Sequence, residues 1–298
     1  MSRRREHAIP YLYILPFFVI FVAFGLFPLV FTAYVSLTDW NLLHEGHHWL
    51  GGRNYTQLIA DPYFWNALRN TASIWVLTTF PQLTVALVVA ELLDRVIRAR
   101  VFIGMGVLVP FVTSVVAVTL VFGQLFNRDF GLVNYMLHFW GVGPVDWHAD
   151  RFASHIAVTT IVNWRWTGYH TLIILAAMQT IPRELYEAAS LDGASYNQRF
   201  LHITLPMLRR VIMLSLLVST IGNLQLFTEP FLFDTSSPGS VTGGTGRQFQ
   251  TLGLYLYEVG FRSFRFGYAS ALSWTMCVVT GAATLLVYRV IRRIPGSD

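Results

Sequence analysis

Six long stretches of the chain carry few charged residues, and each is long enough to cross a bilayer. A transmembrane helix needs ~20 largely apolar residues. Lipid cannot satisfy open backbone groups, and the apolar residues do not alternate as in a barrel strand, so these stretches are predicted to be helices. The sequence therefore predicts an all-α polytopic membrane protein with six transmembrane helices at residues 10–37, 66–93, 101–126, 154–180, 211–233 and 266–290.

The composition also points to lipid as the main solvent. Of the 298 residues, 54% are hydrophobic and 12% are charged, whereas a soluble domain carries roughly 25% charged residues. The chain has no lysine, and its arginines are scattered between apolar runs, which argues against a nucleic-acid partner. Cys277 is the only cysteine, which excludes an intrachain disulfide and a cysteine-based metal site.

The distribution of arginine predicts the orientation in the cell membrane. Segments on the side of the N-terminus hold thirteen arginines, the opposite segments hold seven, and Arg165 lies within a span. Because cytoplasmic loops carry the excess of positive charge, both termini are predicted to be cytoplasmic. The first apolar run follows Arg3, Arg4 and Arg5. It is too long for the core of a signal peptide, so we interpret it as an uncleaved span.

Three parts follow from these spans. Residues 1–9 are predicted to be a cytoplasmic N-terminus, residues 10–292 a six-helix transmembrane domain, and residues 293–298 a cytoplasmic tail. The transmembrane domain includes a long cytoplasmic loop at residues 181–208, between the fourth and fifth spans.

This loop is predicted to contain a short helix at the membrane surface. Pro182 can start a helix, and Glu184 and Glu187 lie near its beginning, where carboxylates are favourable. The two alanines after Glu187 leave room for another protein to approach closely. Gly193 then permits a turn, and Pro206 marks a second break before the next span.

The same loop closely resembles the EAA loop of binding-protein-dependent ABC import permeases. The family pattern is Glu-Ala-Ala, three residues, Gly, nine residues, Ile, one residue and Leu-Pro. The resemblance implies that the short helix docks in a cleft of an ATPase subunit and transmits its closure to the spans. The candidate coupling residues are Glu184, Glu187, Ala188, Ala189, Asp192, Gly193, Ile203, Leu205 and Pro206.

The resemblance extends over most of the chain and implies the type I importer permease fold. Segments similar to the first permease of the maltose-type sugar subfamily are residues 15–16, 27–28, 36–39, 70–71, 131–134, 164–169 and 266–271. The implied partners are a different second permease in a heterodimer, two ATP-binding subunits and an extracytoplasmic sugar-binding protein. ATP and magnesium would be bound by the ATP-binding subunits, and no cofactor by this chain. Disaccharides and oligosaccharides are the expected solutes, with glycerol phosphate left open.

Polar residues within spans are costly and are therefore candidates for function. Arg165 and Glu229 fall at similar predicted depth. They could hold sugar hydroxyls or pair with each other. Aromatic rings nearby could face a sugar or pack between helices. The candidate residues of the solute pathway are Asn163, Trp164, Arg165, Trp166, Tyr169, Asn223, Gln225 and Glu229.

Other activities receive little support from the sequence. His44, Glu45, His47 and His48 are spaced too irregularly for a helical metal site, so no metal is predicted. The glycine-rich residues 243–247 lack the Gly-Lys-Ser/Thr ending of a phosphate-binding loop, so the chain is expected not to hydrolyse ATP. A secondary transporter or a membrane enzyme remains an alternative function, although neither ion-coupling chemistry nor paired catalytic carboxylates are evident.

Overall fold

The fold is a set of helices joined by short loops. A computed structural model describes residues 3–42, 47–95, 100–234 and 242–292, and these form helices and irregular segments without an assigned strand. The predicted tail, residues 293–298, lies outside them. The helices are α1 Arg3–Phe21, α2 Phe27–Val35, α3 Arg53–Ala60, α4 Pro62–Arg95, α5 Arg100–Val112, α6 Val115–Leu125, α7 Leu132–Phe139, α8 Arg151–Met178, α9 Arg183–Leu191, α10 Tyr196–Arg199, α11 Leu205–Met207, α12 Arg209–Leu224, α13 Thr228–Phe233, α14 Leu252–Tyr257 and α15 Phe266–Arg292.

Three helical segments among the described residues are long and apolar enough to cross a membrane as single spans: Tyr13–Val35, Pro62–Arg95 and Phe266–Arg292. Two further pairs of helices are bent at a short break: Phe102–Val112 with Val115–Leu125, and Tyr196–Met207 with Arg209–Leu224. If each pair crosses the membrane as one span, the number of spans rises to five. The predicted span at residues 154–180 is occupied by α8, which is 28 residues long. The all-helical class expected from the sequence is therefore present, with helices at each predicted position.

Two of the predicted spans are interrupted, so the prediction of one continuous helix is wrong in each case. The span at residues 101–126 breaks between α5 and α6, whose axes differ by 87°. The span at residues 211–233 ends early, because α12 stops at Leu224 and α13 starts at Thr228.

Proline explains the second interruption. A continuous helix would need Pro230 to donate a backbone hydrogen bond to the carbonyl oxygen of Leu226, and proline has no N–H. The Leu226 carbonyl instead accepts a hydrogen bond from Thr251 Oγ1 at 2.7 Å. Pro110 lies inside α5, and that helix continues to Val112 before the break at Ser114.

The described residues fall into two units. The larger unit comprises the described residues within 62–255 and 278–292. Within it α4 lies along α8, while α5 and α12 pack beside them. One core cluster contains Ile161, Phe233 and Phe249, and a second contains Ile174 and Leu208. Lipid is as apolar as these side chains, so close van der Waals packing rather than water exclusion holds such helices together.

Gly168 permits the close contact between α5 and α8. A Cβ atom added at Gly168 would overlap the backbone carbonyl of Val107. Small residues at such crossings let two helix backbones approach each other.

The smaller unit comprises the described residues within 3–61 and 256–277. Asn54 Nδ2 donates hydrogen bonds to the carbonyl oxygens of Ser36 and Thr38, at 2.9 and 2.8 Å. The Tyr268 hydroxyl donates to the Asp61 carboxylate at 2.5 Å. These bonds connect the loop after α2 with α3, and the end of α3 with the first turn of α15.

Substitution of Gly168 by alanine should therefore destabilise the larger unit. We expect Gly168→Ala to cost about 1–3 kcal/mol, the usual range for overpacking a tight contact, measured by thermal unfolding in detergent. Gly106→Ala on α5 is the matched control, because a Cβ atom there meets no other atom within 4 Å. Equal melting temperatures for the two variants would contradict the assignment of Gly168 to a close helix crossing.

Candidate functional site

The predicted surface helix is present as α9. Pro182 immediately precedes it with an extended backbone, and Glu184 lies in its first turn. The helix ends at a left-handed turn, in which Gly193 has φ +76° and the Ala194 N–H donates to the Ala189 carbonyl at 2.9 Å. Glycine adopts this conformation without the steric penalty that a side chain would bring.

One face of α9 carries an exposed stripe. Glu184, Glu187, Ala188 and Leu191 are all exposed and follow the i, i+3, i+4, i+7 spacing of one helix face. Leu191 is 91% exposed, which is unusual for a leucine. Sequence analysis missed it, although its position in the stripe was visible. Two carboxylates beside small and apolar side chains form a surface suited to a protein partner.

The remaining candidate coupling residues lie apart from this stripe. Asp192 and Gly193 form the turn after α9. Ile203 is partly buried against the cluster that contains Ile174 and Leu208. Leu205 and Pro206 begin α11 and lead towards α12. The loop thus divides into an exposed helix and a second segment, which leads back to α12 and packs against the rest of the larger unit.

A cavity of about 540 Å³ lies within the larger unit. This size falls within the ~300–1,000 Å³ typical of small-molecule sites. The structure brings five of the eight pathway candidates to its wall, together with four polar residues that sequence analysis missed. These nine residues are Gln82, Arg165, Trp166, His170, Ser219, Asn223, Gln225, Thr228 and Glu229.

The Arg165 and Glu229 side chains meet at the cavity wall. Arg165 Nη1 donates to Glu229 Oε1 at 2.7 Å, and the side chains are only 13% and 6% exposed. The pair joins α8 to α13. The bond is charge-assisted and short, which offsets part of the cost of removing both charges from water. Within the described part of the chain, Arg165 Nε has no hydrogen-bond partner.

A buried polar network forms the neighbouring part of the wall, between α4 and α12. Ser219 Oγ donates to Gln82 Oε1 at 2.9 Å, and Asn223 Nδ2 donates to Thr79 Oγ1 at 3.0 Å. Gln82 and His170 both lie within predicted spans, so the general cost of intramembrane polar groups was a signal that could have identified them.

Three pathway candidates do not line the cavity, and two of them pack against aromatic rings of neighbouring helices. The Tyr169 ring stacks on Phe111 with centroids 5.0 Å apart, and Trp164 packs against Phe122 at 5.5 Å. Asn163 accepts a hydrogen bond from Thr167 Oγ1 through its backbone carbonyl at 2.6 Å. The alternative of helix packing therefore applies to both rings.

The glycine-rich segment before α14 donates its backbone N–H groups to a carboxylate of the same chain. Asp234 Oδ2 accepts hydrogen bonds from the backbone N–H groups of Thr242, Gly243 and Gly244, at 3.1, 2.8 and 3.2 Å. These N–H groups bind a carboxylate of the same chain, so they do not form an open phosphate cradle.

The histidine-rich loop is described only in part, because His44 and Glu45 lie outside the described residues. The His47 ring stacks on Trp40 with centroids 3.9 Å apart, and the His48 backbone N–H donates to the Asp39 carboxylate. No group of three His, Cys, Asp or Glu side chains that could hold a metal ion occurs in the described ranges.

Breaking the buried ion pair should destabilise the protein. Arg165→Gln or Glu229→Gln leaves one charge without its partner, and we expect either to cost ~3–5 kcal/mol. The double exchange Arg165→Glu with Glu229→Arg should recover most of this loss, measured by thermal unfolding.

The matched control is Arg128→Gln. It breaks an ion pair with Asp146 in which the side chains are 58% and 32% exposed, and exposed pairs contribute only ~0–1 kcal/mol. Wild-type melting of both single variants, or no recovery in the exchange, would refute a structural role for the Arg165–Glu229 pair.

The sequence is similar to those of known transport proteins. A sequence profile described as "Binding-protein-dependent transport system inner membrane component" matches residues 82–295. A lactose transport system permease protein of Rhizobium radiobacter is 33% identical over 95% of this chain and 93% of its own length. An arabinooligosaccharides transport system permease protein of Halalkalibacterium halodurans is 30% identical over 92% of this chain and 84% of its own length.

A solved structure shares the fold. A chain of a bacterial ABC transporter involved in the import of the acidic polysaccharide alginate is 22% identical, with a TM-score of 0.82 over 99% of this chain and 100% of that chain. Since the profile covers more than half of the chain and the lactose permease aligns over nearly all of it, the protein belongs to the family of binding-protein-dependent transport system inner membrane components.

Proposed function

We propose that this chain is one of two permease subunits in an ATP-binding-cassette importer for a disaccharide or oligosaccharide. The observation that carries the proposal is the exposed stripe on α9, which presents Glu187 and Ala188 of the EAA pattern to a partner. The sugar class is supported by relatives named for lactose and for arabinooligosaccharides.

The cavity is the proposed solute pathway. Trp166 offers a ring face, while Asn223, Gln225 and Glu229 offer amide and carboxylate groups. Sugars need this combination, because their C–H faces pack on rings and their hydroxyls need hydrogen-bond partners. Arg165 holds Glu229 in place and lies at the same wall, so the pair fixes part of the shape of the pathway.

In the proposed assembly, other subunits bind and hydrolyse ATP. α9 docks on an ATP-binding subunit, which binds ATP and magnesium, and a second permease completes the pathway. A sugar-binding protein delivers the solute on the opposite face. The relation to a binding protein is supported by a second neighbour of this fold, solved with an alginate-pentasaccharide-bound periplasmic protein.

The proposed topology has six spans with both termini in the cytoplasm. It consists of the three long segments, the α5–α6 pair, α8, and α12 with α13, and it takes the orientation from the excess of arginine. α9 then faces the cytoplasm, where ATP is available.

Cysteine labelling tests this topology. In a Cys277→Ala background, which removes the only native cysteine, we expect Asn197→Cys to react only with cytoplasmic reagent. Thr245→Cys should react only from outside. Both positions are exposed in the folded chain. Labelling of both from one side would overturn the arrangement.

Charge reversal on the stripe tests the function. Glu187→Lys should leave the protein inserted in the membrane but reduce ATP-dependent uptake by more than about tenfold, the usual effect of disrupting a charged contact at an interface. Gly193→Pro should act similarly, because proline cannot adopt the φ of +76° seen there.

Asn197→Lys is the control, since it adds positive charge to an exposed residue of the same loop that lies outside the stripe. Normal solute-dependent uptake in both Glu187→Lys and Gly193→Pro would refute the proposal. Uptake and ATP hydrolysis should be measured on the complete complex.

A further inference from the structure

Few contacts connect α9 to the other helices, so few contacts can transmit a displacement of α9 to them. None of its residues is fully buried. At its N-terminus a short connection through Ile181 and Pro182 leads directly from α8. At its C-terminus the chain passes through the Gly193 turn, α10, a π-helical turn and α11 before it reaches α12. The covalent path to α8 is therefore short, and the path to α12 is long and interrupted.

Tyr186 bridges this longer path. Its ring is partly buried and packs against the core cluster that contains Ile174 and Leu208. Its hydroxyl shares a hydrogen bond of 2.9 Å with Thr204 Oγ1. Thr204 is only 5% exposed and ends the π-helical turn Phe200–Thr204, directly before α11. The contact thus joins the inner face of α9 to the segment that leads into α12.

A second side-chain contact on the same face is more exposed to water. Ser190 lies one turn after Tyr186 and accepts a hydrogen bond from Arg199 Nη1 at 2.6 Å. Ser190 is exposed, so water competes for this bond, whereas the bond of Tyr186 is partly shielded. Tyr186 is also the residue before Glu187, on the opposite side of the helix from the exposed stripe.

We propose that Tyr186 and Thr204 are positioning residues that make α12 follow α8 when α9 is displaced. The inference rests on the proposed docking of an ATP-binding subunit on α9. α8 supplies Arg165 and Trp166 to the cavity wall, and α12 supplies Asn223. A displacement that reached α8 alone would change one side of the pathway. The Tyr186–Thr204 contact transmits it to the other side as well.

Conservative substitutions test this transmission in the complete complex. Tyr186→Phe keeps the ring, and Thr204→Val keeps the volume, but each removes one hydroxyl of the bond. We expect the ratio of solute taken up to ATP hydrolysed to fall about two- to tenfold, which matches the loss of one ordinary hydrogen bond. The double variant should be no worse than either single variant, because all three lack the same bond. Tyr135→Phe on α7, where the tyrosine is 62% exposed, is the control and should keep the wild-type ratio.

The ratio separates this role from simple stabilisation. If the bond only supports the fold, melting temperature, hydrolysis and uptake fall together and the ratio stays at the wild-type value. An unchanged ratio in both single variants overturns the proposal, whether or not stability falls. Failure of the wild-type chain to recover an ATP-binding subunit in purification would instead show that the proposed function is wrong, and this inference would fall with it.

Discussion

The ion pair between Arg165 and Glu229 is the interaction on which the interior of the larger unit depends. An arginine in the middle of α8 needs a partner, because its charge cannot stay unpaired away from water at low cost. Glu229 supplies that partner from α13, at 2.7 Å. The contact fixes α13 against α8 and thereby shapes one wall of the cavity.

The breaks in the apolar helices lie at the wall of the same cavity. Val115, at the start of α6, and residues 225–227, between α12 and α13, both line the cavity. Irregular backbone is tolerated in membrane proteins where it is covered by protein or faces a polar cavity. At the break after α12, Thr251 satisfies the Leu226 carbonyl by donating a hydrogen bond to it. The helix breaks and the buried ion pair therefore lie at the same cavity.

Sequence predicted the positions of the long helices and the short exposed helix after Pro182, because apolar runs and helix-start signals are local. It did not predict the breaks. Pro110 and Pro230 were visible, but Pro81 lies inside α4 without ending that helix, so proline alone does not locate an interruption. Tyr186, Thr204, Gln82 and His170 were missed because their roles arise from contacts between distant parts of the chain.

The central claim is that a solute crosses this chain when ATP acts through α9. ATP-dependent uptake of a labelled disaccharide into proteoliposomes tests it most directly, with the complete complex and a loaded sugar-binding protein. The account predicts uptake only when ATP is present on the side of α9 and the loaded protein on the other side. Uptake driven by a proton or sodium gradient in the absence of ATP would contradict it.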